Sequence, residues 1–173
     1  MILPADIHTH NPDPTRDALI HLEARPGLIV PDLGLYSVGI HPWEAGAKDI
    51  DERLQVVSRL INHPRVLAIG EAGLDRRHNP DLGIQQQVFE AQASLACDND
   101  MPMIIHCVRA WDTLLAMHKR FNPKPSSPWI IHGFRGKPAL ADQLLNAGML
   151  LSYGSHYNPD SLAITPHPLH ETD

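Results

Sequence analysis

The sequence has few of the features that mark secreted, membrane-inserted or disulfide-rich proteins. It contains two cysteines, Cys97 and Cys107, which are too few for a disulfide framework, and their spacing fits no Cys-x-x-Cys metal site. No apolar run approaches the roughly 18 residues that a membrane span requires. The first residues have neither the basic nor the apolar region of a signal peptide. These absences predict a cytoplasmic globular protein with no membrane association, and no segment points to an obligate protein partner.

Basic charge is scarce, and the chain is short. Fourteen lysines and arginines against 20 acidic residues give a net charge of −6. A protein that clamps duplex DNA should be basic, so tight non-specific binding to DNA is not expected. The 173 residues predict a single domain over 1–173. That length is small for a (β/α)₈ barrel, which usually needs about 250 residues.

Histidine is abundant, with twelve residues, and the question is where these histidines lie. Short apolar runs, the first over 2–7, alternate with helical patterns, an order typical of β/α units around a parallel sheet. Apolar spacing and helix-start signals predict four clear helices, over 49–62, 82–98, 110–121 and 138–147. A weak helical pattern covers 15–24, and the proline-rich segment 158–168 is predicted to be a loop.

Metal-binding side chains stand where the apolar runs end. Histidines two residues apart in a strand point the same way, and in a parallel barrel the carboxyl ends of all strands lie on one face. A carboxylate that ends an apolar run is costly to bury unless it is paired or bound to a metal. The sequence therefore predicts that one metal centre is formed by six side chains: His8, His10, Glu71, His106, His132 and Asp173.

Six ligands exceed the needs of one tetrahedral ion and suit two divalent ions that share a carboxylate. Nitrogen and oxygen donors without a thiolate favour Zn²⁺, Mn²⁺ or Mg²⁺. Asp173 is the candidate general base, because it is a predicted ligand beside the water that the ions would activate. Glu71 is the second candidate catalytic residue, at the centre of the ligand set.

Basic and aromatic residues follow the predicted ligands in the loops. Five of the fourteen basic residues occupy such positions: Arg76, Arg77, Arg109, Arg135 and Lys137. They favour an anionic substrate, either single-stranded DNA or a small phosphodiester. Three aromatic residues in the same loops could stack on an unpaired base or pack beneath the loops: Trp43, Trp111 and Phe134.

Six motifs, taken in this order, resemble the TatD family of metal-dependent hydrolases within the amidohydrolase-like barrels. They are Asp6-Ile-His-Thr-His10, Gly39-Ile-His-Pro42, Ile69-Gly-Glu-Ala-Gly-Leu-Asp75, Ile104-Ile-His106, Ile131-His-Gly-Phe134 and Glu171-Thr-Asp173. The resemblance spans nearly the whole chain and implies a TIM-barrel-like (β/α) fold. It also implies a metal-dependent phosphodiesterase, of the kind often described as a deoxyribonuclease.

The resemblance further implies roles for individual residues. One ion would be held by His8, His10, Glu71 and Asp173, and the other by Glu71, His106 and His132, with Glu71 bridging the two. His41, in the Gly-x-His-Pro motif, would contact the substrate.

The sequence departs from the family pattern in three places. An arginine usually stands two residues after the fifth-strand histidine, whereas Arg109 lies three residues after His106. The segment between His10 and His41 is short, which predicts a shortened barrel with a reduced early β/α unit. The chain stops at Asp173 without a final helix, so it is either a compact barrel or, the favoured interpretation, a C-terminally truncated fragment.

Two alternatives to a phosphodiesterase stay open. An amidohydrolase-like deacylase or lactonase could use the same ions on a carboxyl derivative, although the basic loop residues argue against an uncharged substrate. A truncated, non-catalytic metal-binding barrel is the alternative outside enzymes.

Overall fold

Eight parallel strands close into a barrel in the computed structural model, which describes residues 3–173. The strands follow one another in chain order: β1 (Asp6–Thr9), β2 (Ala18–Glu23), β3 (Leu35–Gly39), β4 (Val66–Asp75), β5 (Met103–Val108), β6 (Trp129–Ile131), β7 (Leu150–Tyr153) and β8 (Leu169–His170). One helix follows each strand from β3 to β7: α1 (Ile50–Leu60), α2 (Leu82–Asp98), α3 (Trp111–Phe121), α4 (Pro138–Asn146) and α5 (Pro159–Ile164). None of these helices within 3–173 has the length and apolar content needed to cross a bilayer.

The prediction of a shortened barrel is confirmed, and the described residues show how the shortening is achieved. All eight strands are present, but no helix lies between β1 and β2 or between β2 and β3 in the part of the chain from residue 3 onward. Because the shortening omits helices and keeps all eight strands, the barrel remains closed. The start of the predicted first run, Ile2, lies outside the described residues.

Two local predictions are wrong, and both errors have a physical cause. Segment 15–24 was predicted to be helical but contains strand β2, because Leu19 packs inside the barrel while Ile20 packs on its outer side. Segment 158–168 was predicted to be a loop but contains helix α5. Asn158 caps that helix by accepting hydrogen bonds from two backbone amides, and Pro159 occupies its first turn.

The core has two layers that hold the strand ends in place. The inner cluster includes side chains from every one of the eight strands, so it fills the barrel interior; examples are Ile7, Leu19, Ala68, Ile104 and Ile130. The outer and larger cluster joins the strands to the helices and includes the fully buried Phe89 and Trp129. Rigid, close-packed strands of this kind are suited to fixing side chains at their carboxyl ends.

His118 on α3 makes the stability of this core dependent on pH. It is 7% exposed and stacks edge-on against Trp129 with ring centroids 5.1 Å apart. Burial lowers the pKa of His118 below its ordinary value of 6.5. In the unfolded chain His118 binds a proton near pH 6.5, whereas in the folded chain it does so only at lower pH. The free energy of unfolding therefore falls as the pH drops through and below 6.5.

We expect His118→Gln to reduce the slope of unfolding free energy against pH between pH 7 and 5. One proton accounts for about 1.4 kcal/mol per pH unit at most. Urea unfolding of the metal-free protein at several pH values measures the slope. His167→Gln, at an exposed position, serves as the control and should leave it unchanged. An identical slope in wild type and His118→Gln would contradict the prediction.

Candidate metal centre

The structure places all six predicted ligands at the carboxyl end of the barrel. His8 lies in β1, Glu71 in β4 and His106 in β5. His10 and His132 directly follow the last residues of β1 and β6, and Asp173 lies three residues after the end of β8. Because the barrel is closed and all strands are parallel, these positions meet above the inner core.

One oxygen of the Glu71 carboxylate contacts three histidines. Its Oε1 lies 2.9 Å from His106 Nδ1, 2.8 Å from His132 Nε2 and 3.3 Å from His41 Nε2. His41 is held at this position by the short 3₁₀ helix Pro42–Glu44, which it caps through its Nδ1 by accepting a hydrogen bond from the Trp43 amide. Its Nε2 is therefore free to point at Glu71.

The other oxygen of Glu71 faces the remaining ligands. Its Oε2 lies 3.3 Å from His8 Nε2 and 3.4 Å from His10 Nε2. Asp173 approaches the same two histidines from the opposite side, with its Oδ1 3.8 Å from His8 Nε2 and 3.4 Å from His10 Nε2. Glu71 thus stands between two sets of histidines, one on each oxygen.

Glycine in β4 allows Glu71 to reach the centre of the barrel. Gly70 has a φ of 141°, a conformation that L-residues with side chains rarely adopt. The pairing of β4 with β5 is irregular between Ile69 and Ala72, which takes Gly70 and Glu71 out of the regular ladder. A Cβ atom on Gly39 in β3 would lie 2.7 Å from Gly70 Cα, so both glycines permit a close approach of the strands.

The histidines determine the charge of Glu71. Burial of this 3% exposed residue would raise its pKa, but hydrogen bonds from four histidines hold the pKa well below its ordinary value: His10, His106, His132 and His41. Burial alone would lower the pKa of His132, but the neighbouring carboxylates Glu171 and Glu71 raise it to about 10. The centre therefore contains an ionised carboxylate surrounded by imidazoles.

Several nitrogen atoms here are buried without the hydrogen bonds that such atoms normally require. Both ring nitrogens of His8 and the Nδ1 of His132 form no hydrogen bond of acceptable geometry with the described residues, although His8 Nε2 and His132 Nδ1 each face a carboxylate oxygen at 3.3 and 3.5 Å. Buried polar atoms are usually satisfied by protein, water or an ion. Donor atoms of three sets lie close enough together to hold a metal ion: His8, His10 and Glu71; His8, His132 and Asp173; and His41, Glu71 and His106.

The donor chemistry of the cluster fits a divalent ion of intermediate or hard character. Its donors are imidazole nitrogens and carboxylate oxygens, which suit Zn²⁺, Mn²⁺ or Mg²⁺. Cys107 lines the same cavity, but burial raises the pKa of its thiol to about 12. Among the described residues, Cys107 belongs to none of the donor sets that lie close enough together to hold an ion.

Two further carboxylates orient the ligands and were not assigned roles from the sequence. Asp75 Oδ2 lies 3.2 Å from His106 Nε2 and accepts a hydrogen bond from the Trp43 indole. Glu171 Oε1 lies 3.5 Å from His132 Nδ1, while its Oε2 accepts hydrogen bonds from Ser152 and from the Gly133 amide. Carboxylates behind histidines commonly fix the ring orientation of metal ligands. Both lie within the motifs quoted above, which was the signal available for finding them.

Contacts between β1 and the residues after β8 fix the position of Asp173. The Thr172 amide is 3.1 Å from Asp6 Oδ1 and 3.3 Å from the His8 carbonyl oxygen. The Thr172 hydroxyl donates to Asp6 Oδ2, and Thr9 Oγ1 donates to the Thr172 carbonyl. Asp173 is thereby held beside His8.

A cavity of about 1370 Å³ opens above the cluster. The five basic loop residues predicted from the sequence fall into two groups, those that line this cavity and those that do not. Arg77, Arg109 and Arg135 line it and form no ion pair with any described residue. Arg109 adopts a left-handed backbone conformation, with a φ of 54°. Arg76 instead pairs with Asp112 at 3.1 Å, and neither it nor Lys137 lines the cavity.

The three aromatic residues also differ in their surroundings. Trp43 lines the cavity, is 48% exposed and stacks on His78 with centroids 4.1 Å apart. Trp111 lines the cavity and is half-buried. Phe134 is 1% exposed and packs edge-on against Tyr153, so its contribution is to the core as well as to the cavity wall.

Comparison with known proteins agrees with the geometry. The sequence model of the family described as "TatD related DNase" matches residues 20–163. The chain belongs to the TatD family. This confirms the resemblance seen in the six motifs.

Individual relatives extend the comparison of this TatD family chain. A protein of Musicola paradisiaca named "3'-5' ssDNA/RNA exonuclease TatD" is 33% identical over 114 residues, which are 65% of this chain and 42% of that protein. A protein of Dickeya dadantii with the same name is 31% identical over 122 residues, or 70% of this chain and 46% of that protein. The matched segment therefore covers less than half the length of these curated relatives.

Two crystal structures share the fold of this TatD family chain. A TatD homologue from Escherichia coli superposes with a TM-score of 0.80, covering 99% of this chain and 80% of that chain at 21% identity. A TatD family hydrolase from Entamoeba histolytica gives a TM-score of 0.72, covering 90% and 60% respectively, also at 21% identity. At that identity the likeness establishes the barrel fold.

Proposed function

We propose that residues 1–173 form a single hydrolase domain that cleaves phosphodiester bonds with the help of two divalent metal ions. The observation that carries the proposal is the convergence of five histidines and two carboxylates on one carboxylate-centred cluster beneath a cavity lined by arginines. The relatives named as ssDNA/RNA exonucleases support the same class of reaction.

The proposed ligands are those predicted from the sequence. His8, His10, Glu71 and Asp173 would hold one ion, and Glu71, His106 and His132 the other, with Glu71 between them. The five histidine contacts of Glu71 and the buried ring nitrogens of His8, which form no hydrogen bond of acceptable geometry with the described residues, support this assignment. When bound, the ions would be Zn²⁺, Mn²⁺ or Mg²⁺, and they would polarise the phosphoryl group and lower the pKa of a coordinated water.

Residues of the chain supply the remaining parts of the mechanism. Asp173, whose side chain is 36% exposed to the cavity side of the cluster, accepts a proton from the attacking water as general base. Glu71 stays ionised throughout, because its hydrogen-bonding histidines keep its pKa low. Asp75 and Glu171 hold His106 and His132 in orientation.

The proposed substrate is anionic, either single-stranded DNA or a small phosphodiester. Arg109 and Arg135 bind phosphate groups, because both line the cavity without a carboxylate partner in the described chain. Guanidinium groups bind phosphate oxygens in a bidentate manner. His41 contacts the substrate from the Glu71 side, and Trp43 offers an exposed ring on which an unpaired base can stack.

Hydrolysis assays with Mn²⁺ or Zn²⁺ test the proposal directly. We expect turnover of a generic phosphodiester and of a short single-stranded oligonucleotide. The double variant His8→Ala/Glu71→Ala should lose this turnover, since it removes ligands from both sides of the cluster. Wild-type-like rates in the double variant would overturn the assignment of the site.

The two alternatives give different results in the same experiments. A deacylase or lactonase would hydrolyse generic esters or amides faster than the phosphodiester. A non-catalytic barrel would bind fewer than one ion per chain in a folded preparation, as measured by elemental analysis and a thermal melt. The three predicted loop arginines that line the cavity, Arg77, Arg109 and Arg135, favour the phosphodiester.

A further inference from the structure

Strand β2 carries a histidine that the mechanism above does not use. The side chain of His21 is 4% exposed and lines the same cavity as the metal ligands. Its ring centroid lies 5.2 Å from that of His10 and 6.0 Å from that of His8. Such a buried, polar ring in a site of this kind requires a specific partner for each of its nitrogens.

The nearest partner of His21 is the backbone of the central ligand. His21 Nδ1 lies 2.8 Å from the Glu71 amide nitrogen and 2.9 Å from the Gly70 carbonyl oxygen. These two groups belong to the segment of β4 whose pairing with β5 is irregular between Ile69 and Ala72. The irregularity that directs Glu71 inward takes its amide out of the ladder, and His21 supplies the missing partner.

Small residues in β3 allow β2 to reach β4. His21 pairs in register with Ser37, which in turn pairs with Ala68 of β4. Inward-facing side chains of alternate strands share one layer of a barrel. The small Ser37 and Gly39 on the intervening strand leave room for the imidazole between His21 Cα and Glu71.

His21 has three polar neighbours, and one neutral tautomer pairs its ring with two of them, the Glu71 amide and the Glu23 carboxylate. His21 Nε2 faces Glu23 Oε2 at 3.4 Å, and a carboxylate requires a donor there. With the proton on Nε2, Nδ1 is an acceptor and receives the Glu71 amide hydrogen. The opposite tautomer would donate to the Gly70 carbonyl oxygen instead, but it would leave that amide unpaired and set a lone pair against the carboxylate.

Glu23 extends the contact to the other side of the cluster. Its Oε2 also accepts a hydrogen bond of 3.1 Å from the His41 amide, and its Oε1 lies 3.7 Å from Arg53. Glu23 and His21 together therefore connect the backbone of Glu71 with the backbone of His41. The side chains of these same two residues are in contact, since His41 Nε2 lies beside Glu71 Oε1.

We propose that His21, oriented by Glu23, is a positioning residue that fixes the backbone of the metal ligand Glu71. The inference rests on the proposed metal centre but not on the identity of the substrate. Outer-shell partners of metal ligands typically contribute about 10- to 100-fold to metal affinity. His21→Ala should therefore weaken the binding of Mn²⁺ about 10- to 100-fold and change the visible spectrum of the Co²⁺-loaded protein.

Conservative variants separate positioning from packing. In His21→Asn the amide oxygen occupies the place of Nδ1 and can accept the Glu71 amide hydrogen, so Mn²⁺ affinity and the Co²⁺ spectrum should approach those of wild type. In His21→Gln the polar group lies near the place of Nε2, so the affinity should stay as low as in His21→Ala. His167→Asn, at an exposed position, is the matched control and should bind Mn²⁺ like wild type.

A measurement on the unaltered protein covers the case in which the variants fail to fold. Nitrogen-15 NMR of the metal-free protein should show His21 with the proton on Nε2. The proposal is overturned by a proton on Nδ1, by wild-type affinity in His21→Ala, or by equal losses in His21→Ala and His21→Asn. Failure of wild type itself to bind Mn²⁺ would instead overturn the proposed metal centre.

Discussion

Glu71→Gln is expected to reduce hydrolysis about a thousandfold, in line with losses seen when a key charge-stabilising group is removed, and to bring bound metal below one ion per chain. The carboxylate lies 2.8–3.4 Å from five imidazole nitrogens, with contacts on both oxygens. A glutamine of the same shape removes the negative charge and turns one oxygen into an N–H donor. Metal analysis after desalting, together with initial rates at saturating Mn²⁺, measures both effects.

The matched control for this experiment is Glu90→Gln on helix α2. Glu90 is 49% exposed at its side chain and pairs with Arg120 at 2.8 Å, away from the cavity. Exposed ion pairs contribute little to stability, so this variant should keep wild-type rates and metal content. If Glu71→Gln retains two ions and a normal rate, Glu71 is not the bridging ligand.

Asp173→Asn is expected to lower kcat by about 10²- to 10⁴-fold, the usual contribution of a general base. Its Oδ1 is placed 3.4 Å from His10 Nε2 by the Thr172 contacts with Asp6 and His8. Asparagine keeps an oxygen that can coordinate a metal at this place, but its amide cannot accept the proton of the attacking water. KM and Mn²⁺ content should therefore change far less than kcat, which steady-state kinetics and metal analysis resolve.

Asp142→Asn on helix α4 is the corresponding control. Asp142 is exposed and accepts a hydrogen bond of 3.1 Å from Asn146. It should show wild-type kcat and KM. A kcat for Asp173→Asn within about tenfold of wild type, below the range for a general base, would assign the base to another group.

The candidate metal ligands could be predicted from the sequence more readily than the residues that hold them in place. His106, His132 and Glu71 each follow an apolar run, and strand polarity alone brings such positions together in a parallel barrel, although β4 and β5 continue beyond Glu71 and His106. The split of ligands between two ions depends on side-chain orientation, which spacing does not determine. Of the donor sets that lie close together, one includes His41, which was predicted as a substrate contact.

The contribution of β2 was missed because its strand was predicted as part of a weak helix. The segment Ala18–Glu23 is short, and its packing on both barrel surfaces arises from neighbouring strands. Propensity is easily overridden by such tertiary context. Once β2 is a strand, His21 and Glu23 are two residues apart on one face, the same pattern that identified His8 and His10.

The basic residues of the loops show a second limit of prediction from the sequence. Five basic residues follow the predicted ligands, but only contacts distinguish Arg76, which pairs with Asp112, from Arg77, Arg109 and Arg135, which line the cavity. Whether an arginine turns toward the site or toward a neighbouring helix depends on long-range pairing.

The junction between β1 and β8 would give the proposed metal centre a second role, in the thermodynamics of folding. In the described residues these strands pair through Asp6 and His170, with further hydrogen bonds from Thr172. An ion held by His8 and Asp173 would bridge this junction and join the first and last strands of the barrel in the native state alone. Free metal at a hundred times Kd would then add about 2.7 kcal/mol to the stability of the closed barrel. On the proposed metal centre, the concentration of the ion would then set how often the barrel opens.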